Sequence, residues 1–135
     1  MKLHVLDASA VMAYFLGEKG ADAIAELVVK AGEAGRPLLM SAVNWGEVYY
    51  GIWRKFGRET AERKIAELSR LPVEVVDADC AQAALAAEFK AEQKLPYADA
   101  FAAALAKQRK AALVTVDADF ERVEKDVTVV WAQKA

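Results

Sequence analysis

Short apolar runs alternate along the chain with longer segments whose apolar positions recur every three or four residues. The runs are KLHVL at 2–6, PLLMS at 37–41, VEVV at 73–76, ALVTV at 112–116 and VTVVW at 127–131. Each has strand length, aliphatic or β-branched composition and boundary residues at its ends. The periodic segments between them predict helices. One spans 8–16, stopped by Gly17, and one spans 20–35, ending at Gly35. A third spans 42–56 behind the cap residue Ser41, and a fourth spans 58–71 with Thr60 as a candidate cap. The fifth spans 78–93, with Asp77 or Asp79 as its cap, and the sixth spans 97–110, behind Pro96 and with a basic last turn. Strands separated mostly by helices imply parallel pairing through right-handed crossovers. Near-continuous apolar strands imply a sheet covered on both faces. The expected fold is a three-layer α/β/α sandwich around a five-stranded parallel sheet, one domain spanning 1–135.

In an open parallel sheet, ligands bind beyond the carboxyl ends of the strands, where the strand order reverses. Acids cluster at such places here. Asp7 ends the first strand, and Asp117 and Asp119 follow the fourth. Asp99 lies in the first turn of the helix leading into the fourth strand, and Glu47 lies in the helix after the second. Each acid also has an ordinary role open to it, as a helix cap or a partner for a helix dipole. The chain carries its own control, because the tripeptide DAD at 117–119 also occurs at 77–79. The copy at 77–79 reads as capping alone, so spacing does not separate a cap from a ligand.

Glu47 shares its helix with an apolar stripe of Trp45, Val48, Tyr49, Ile52, Trp53 and Phe56, and points to the side of Val43, Tyr50 and Arg54. A solvated glutamate is the default reading, but a stripe this aromatic reads as core or instead as a dimer interface or partner surface. The last two readings free Glu47 to face the crevice. Gly46 and Gly51 are costly inside a helix, and close backbone approach is the expected reason for them.

Composition narrows the chemistry. His4 is the only histidine and Cys80 the only cysteine. A multi-histidine zinc site and an internal disulfide are excluded, and a histidine-based triad is disfavoured. His4 reads as a packed or edge residue of its strand, and Cys80 as a small core residue. A single cysteine, no apolar run of membrane-spanning length and no leader-like start suggest a cytoplasmic protein with no membrane contact. What remains is a set of carboxylates, and all-oxygen ligands suit Mg²⁺ or Mn²⁺.

Four segments taken together, LDASA, SAVNWGEVYYG, YADAFAAALA and LVTVDADF, resemble the PIN-domain ribonucleases. Within that family they look most like the VapC toxins of VapBC toxin–antitoxin pairs. The motifs follow the family's order, and the resemblance runs the length of the chain. It implies a five-stranded parallel sheet with the first and fourth strands adjacent. It also implies four catalytic acids, Asp7, Glu47, Asp99 and Asp117. Metal ligation falls on Asp7, Asp99 and Asp117, with Asp119 as a frequent extra acid. Thr115 and Ser9 match small polar positions beside them. The implied activity is Mg²⁺- or Mn²⁺-dependent endoribonuclease cleavage of RNA, leaving 5′-phosphate and 3′-hydroxyl ends. The implied partners are a small antitoxin protein and a second copy of the chain in a homodimer. Housekeeping RNA processing, or a non-catalytic α/β binding module, are the alternatives.

The net charge of −2 looks wrong for an RNA-binding protein. Setting the five acids aside leaves 15 acids against 18 bases, a scaffold of about +3. Arg36, Arg54, Lys55, Arg58, Lys90, Lys94 and Lys107 are the candidate phosphate contacts.

Overall fold

Caps written into the sequence start and stop most of the helices. The structure, a computed structural model, describes residues 2–134. Strand β1 (His4–Leu6) runs into Asp7, whose side chain accepts from Ala10 N and opens helix α1 (Ala8–Leu16). Gly17 ends α1 in a left-handed conformation, and Gly35 ends α2 (Ala21–Ala34) in the same way. Strand β2 (Leu38–Ser41) ends in Ser41, whose hydroxyl accepts from Val43 N and caps α3 (Ala42–Phe56). Helix α4 (Arg58–Ser69) leads to β3 (Val73–Val76). Asp79 then caps α5 (Cys80–Gln93) through Gln82 N. Helix α6 (Tyr97–Arg109) leads to β4 (Ala112–Thr115), and a short 3-10 helix, Ala118–Val123, precedes β5 (Val129–Trp131).

The strands form one sheet in the order β3-β2-β1-β4-β5, and every pairing is parallel. The order reverses between β1 and β4. Their register sets Leu6 beside Val114, so the chain segments that leave the two strands, at Asp7 and Thr115, emerge side by side. Successive strand residues face opposite sides, and both sides are apolar. Val5, Leu39 and Leu113 pack with α5, α6 and the 3-10 helix. Leu6, Met40 and Val114 pack with α1 to α4. The result is the three-layer α/β/α sandwich expected from the pattern.

Helix α6 is buried along the whole of Ala100–Ala106. Alanine at five of those seven positions lets it lie close between the sheet and its neighbours. Asp99 stands where this buried run begins.

Several local expectations are corrected. Thr60 is not a cap, because α4 starts at Arg58 behind Gly57. Cys80 is exposed in the first turn of α5 rather than in the core. A Cβ on Gly46 would meet nothing within 4 Å, and one on Gly51 would make only ordinary contact with Met12, so neither glycine answers a close approach. Strand β3 is an edge strand with Glu74 and Val75 exposed, not a strand covered on both faces. The aromatic stripe of α3 divides: Val48 and Ile52 are core, Trp45 and Tyr49 are partly buried against it, and Trp53 and Phe56 are exposed.

Candidate metal centre

The acids assemble because neighbouring strands and the start of α6 deliver them to one place. Asp7 is buried and tightly held. Its Oδ1 accepts from Ala10 N at 2.8 Å and its Oδ2 from Thr115 Oγ1 at 2.6 Å. The Ser9 hydroxyl lies 2.9 Å from both oxygens. The same hydroxyls serve β4: Val116 N donates to Ser9 Oγ at 3.2 Å, and Asp117 N donates to Thr115 Oγ1 at 3.0 Å. One short network therefore locks the ends of β1 and β4 together and fixes where Asp117 begins. Asp117 in turn caps the 3-10 helix, accepting from Asp119 N at 2.9 Å.

Asp99, Asp117 and Asp119 each offer a carboxylate oxygen, and these three oxygens lie within 4.8 Å of one another. Asp7 is not one of the three. Its oxygens accept from two hydroxyls and a backbone N–H, and its charge acts on Asp99. Glu47 acts on Asp99 in the same way. Its Oε1 accepts from Asn44 Nδ2 at 3.0 Å, and the same amide group donates to the Ala98 carbonyl at 3.0 Å. Asn44 thus ties Glu47 to the residue before Asp99. The structure brings all five sequence candidates to one end of the sheet.

Electrostatics show what this costs. Burial, followed by the charges of Asp117, Asp7, Glu47 and Asp119, pushes the Asp99 carboxyl up to about 7. Burial pushes Asp7 up to about 6, with hydrogen bonds from Thr115, Ala10 and Ser9 opposing and the Asp117 charge adding. Carboxylates crowded this way disfavour one another's ionisation, and a cation among them relieves that repulsion. The donors are all oxygen, and three are within reach of a single ion. The set fits a hard divalent cation such as Mg²⁺ or Mn²⁺ and offers nothing to a soft metal.

Some sequence candidates fall elsewhere. Arg36 precedes β2, at the opposite end of the sheet from the acids. Lys107 lies about 12 Å along α6 from Asp99, taking 1.5 Å per residue, and stands over the Phe89 ring. Arg58 stacks on Trp53 and pairs with Glu62. Two neighbours of the acids lie outside the sequence candidates, Asn44 and Arg122. Both stand three residues from an acid they touch, Asn44 before Glu47 and Arg122 after Asp119. That spacing was the available signal.

The PIN-domain family profile matches residues 4–126, a span that contains all five acids. No curated protein is a significant sequence relative. Among solved structures, the chain is similar to DNA-bound VapBC from Salmonella typhimurium, with a TM-score of 0.76 and 19% identity over 98% of this chain and 99% of that one. It is also similar to FitAcB from Neisseria gonorrhoeae, with a TM-score of 0.73 and 18% identity over 98% and 100%. Mycobacterium tuberculosis VapC20, described as a sarcin–ricin-loop-cleaving toxin, matches with a TM-score of 0.66 and 18% identity over 87% and 92%. At such identities the structural likeness concerns the fold. The family profile over most of the chain, together with the sheet order, shows that this chain belongs to the PIN-domain family.

Proposed function

We propose that this chain is a metal-dependent endoribonuclease and the toxin of a type II toxin–antitoxin pair. One observation carries the nuclease reading: Asp99, Asp117 and Asp119 place carboxylate oxygens within 4.8 Å of one another at the β1/β4 switch point. The charges of Asp7 and Glu47 also act on Asp99. Such a set is electrostatically unfavourable alone and becomes useful with Mg²⁺ or Mn²⁺. A bound divalent ion supplies charge to hold a phosphodiester, activate water and stabilise the leaving oxygen.

The chain's own residues have separate tasks in this reading. Asp99, Asp117 and Asp119 hold the ion, with Asp7 as a further ligand. Asp7, fixed by Ser9 and Thr115, keeps the ends of β1 and β4 in register and contributes negative charge. Glu47, steadied by Asn44, is the acid placed to accept a proton in the crevice. No histidine or cysteine is needed, as the composition requires.

The toxin reading is supported by full-length likeness to VapBC and FitAcB structures. A small antitoxin and a second copy of the chain are the proposed partners. The exposed Tyr50, Trp53 and Phe56 of α3 are available for such contacts. No helix among the described residues is long and apolar enough to cross a membrane, and the proposed site of action is the cytoplasm.

The test is cleavage of total cellular RNA by protein freed of antitoxin, in Mg²⁺, Mn²⁺ or EDTA, beside Asp99→Asn. The expected result is cleavage in either metal, none in EDTA and none in the variant. A folded protein that cleaves nothing in any metal overturns the reading.

A further inference from the structure

The acids gather beyond the carboxyl ends of the strands, and the amino ends carry the opposite charge. There a cavity of about 300 Å³ opens between the start of β1, the last turns of α2 and the start of β2. Lys2, His4, Lys30 and Arg36 line it, with Leu27 and Leu38 among its apolar walls, and among the described residues no acid lines it. The sheet explains the space. β1 and β2 pair only at Val5 and Leu39, so their amino ends are not laced together. His4 lies two residues before Leu6 and shares its face of the sheet. That face packs against α1 to α4, so the imidazole turns toward α2. Helix α2 stops at Gly35, and the chain returns through Arg36 and Pro37 into β2.

The cations at this cavity are available to a ligand. Lys2 and Arg36 are exposed, and among the described residues neither forms an ion pair. Lys30 pairs with Glu26 at 3.1 Å and offers less. Burial, and then the Lys2 charge, push the His4 imidazole below its ordinary value. At neutral pH it is an uncharged, flat ring. The carbonyls of Ala31 and Gly32, at the negative end of α2, already accept from the Gly35 and Arg36 amides. Lys2 also lines a second cavity, of about 260 Å³, on the α6 side with Lys107 and Lys110. Its acid, Asp126, accepts from Gln93 Nε2 at 2.7 Å. Lys107 borders Glu88 and Glu92 as well, which leaves Lys2 and Arg36 as the principal cations.

Buried apolar walls under exposed cations suit a flat apolar body that carries an anion. A nucleotide has that form, with a base for the walls and the His4 ring and a phosphate for the cations. An acidic peptide would satisfy the cations but offers nothing to the walls. We propose that this cavity is a second RNA site, remote from the acidic cluster, in which one unpaired nucleotide sets its base against His4, Leu27 and Leu38 and its phosphate between Lys2 and Arg36. His4 and Asp7 are three residues apart, about 10 Å along the strand direction, so an RNA strand anchored here is held clear of the carboxylates that repel it. The class of ligand rests on the nuclease reading. The test needs no cleavage, so the two can fail separately.

The experiment measures binding of a single-stranded RNA oligonucleotide in EDTA, where the metal-free acids repel RNA and leave the basic cavity to hold it. Wild type is compared with Lys2→Gln, Arg36→Gln, the double variant, Arg36→Lys and Arg63→Gln, the last removing a charge from the exposed face of α4. Each fold is checked by its thermal transition. Lys2→Gln and Arg36→Gln should each weaken binding about fivefold at about 0.1 M salt and flatten the dependence of log Kd on log salt by about 0.7. The double variant should show both effects together. Arg36→Lys should keep the wild-type slope, and Arg63→Gln should stay within about twofold of wild type. A double variant that binds RNA as wild type does overturns the site, as does a wild type that binds no RNA. An equal loss in Arg63→Gln overturns it too, because net charge alone would then explain the effect. Displacement of the RNA by polyglutamate as readily as by polyuridylate overturns the nucleotide in favour of an acidic peptide. RNA bound through Lys2 and Arg36 but cut in no metal defeats the nuclease reading and leaves the site standing.

Discussion

The chain contains the tripeptide DAD twice, and the two copies meet different fates. At 77–79 it follows β3, an edge strand, and all three residues are exposed. Asp79 caps α5 through Gln82 N, and among the described residues no acid from another element comes close enough to form a cluster with it. At 117–119 it follows β4, next to the sheet's central strand. Asp117 caps its helix too, through Asp119 N. The second copy, however, emerges beside Asp7 and opposite the start of α6, and its two carboxylates meet that of Asp99. Local chemistry is the same in both places. Position in the sheet decides whether the acids serve only the backbone or also gather into a cluster.

The comparison is broken most forcefully by activity. Asp117→Asn should lower metal-dependent RNA cleavage by more than about 100-fold, beyond the 10–100-fold typical of losing an outer-shell metal partner. Asp77→Asn should leave it within about twofold. Equal losses at the two positions would mean that both copies are merely structural. Next comes metal affinity. Asp119→Asn should weaken Mn²⁺ binding about tenfold in calorimetry, and Asp79→Asn should not change it; the lower figure for Asp119 reflects its exposure and its contact with Arg122.

The pH dependence of stability sharpens the contrast further. Asp99 and Asp7 hold their protons more tightly folded than unfolded, up to about 7 and about 6 against an ordinary 3.8. Between those values the folded state carries more protons, so stability falls as pH rises. In EDTA, the melting temperature should therefore gain less, or drop more, from pH 5 to pH 8 in wild type than in Asp99→Asn. Asp77→Asn should keep the wild-type slope. Added Mn²⁺ should raise the melting temperature strongly at pH 8 and little at pH 5, because binding needs the ionised acids. The smallest effect is the cap itself. Asp79→Ala should cost about 1 kcal/mol, or roughly 3 °C for a chain of this size. Asp117→Ala without metal should cost less, because losing the cap is offset by relieving Asp99.

Much of the architecture is legible in the sequence because its causes are local. Helix α3 begins at Ala42 because Ser41 caps it, and α1 ends at Leu16 because Gly17 turns the chain. The strands follow from short apolar runs, and the α/β/α layers from their alternation with helices. The errors are local features that tertiary contacts outvoted. Thr60 is a good cap residue one turn too late, since Gly57 already redirects the chain. Cys80 looks like core but opens a helix on the surface beyond an edge strand. Exposure of that kind depends on what lies across the sheet, which is not encoded near Cys80.

The candidate site divides along the same line. The identity of its acids, and the oxygen-only chemistry they allow, are properties of the sequence. So are the caps that bring Asp7 and Asp117 to the starts of their helices. The neighbouring of β1 and β4 was implied by the resemblance and by no local signal, and only the tertiary structure decided that Ser9 and Thr115 pin Asp7 between them. It alone set Asn44 to steady Glu47 and brought Arg122 within 3.8 Å of Asp119. The physical reason is range. Capping and periodicity act over three or four residues, whereas charge repulsion acts between side chains that here are up to 110 positions apart in the chain, as Asp7 and Asp117 are. Only folding brings such groups within a few ångströms, where their charges govern one another.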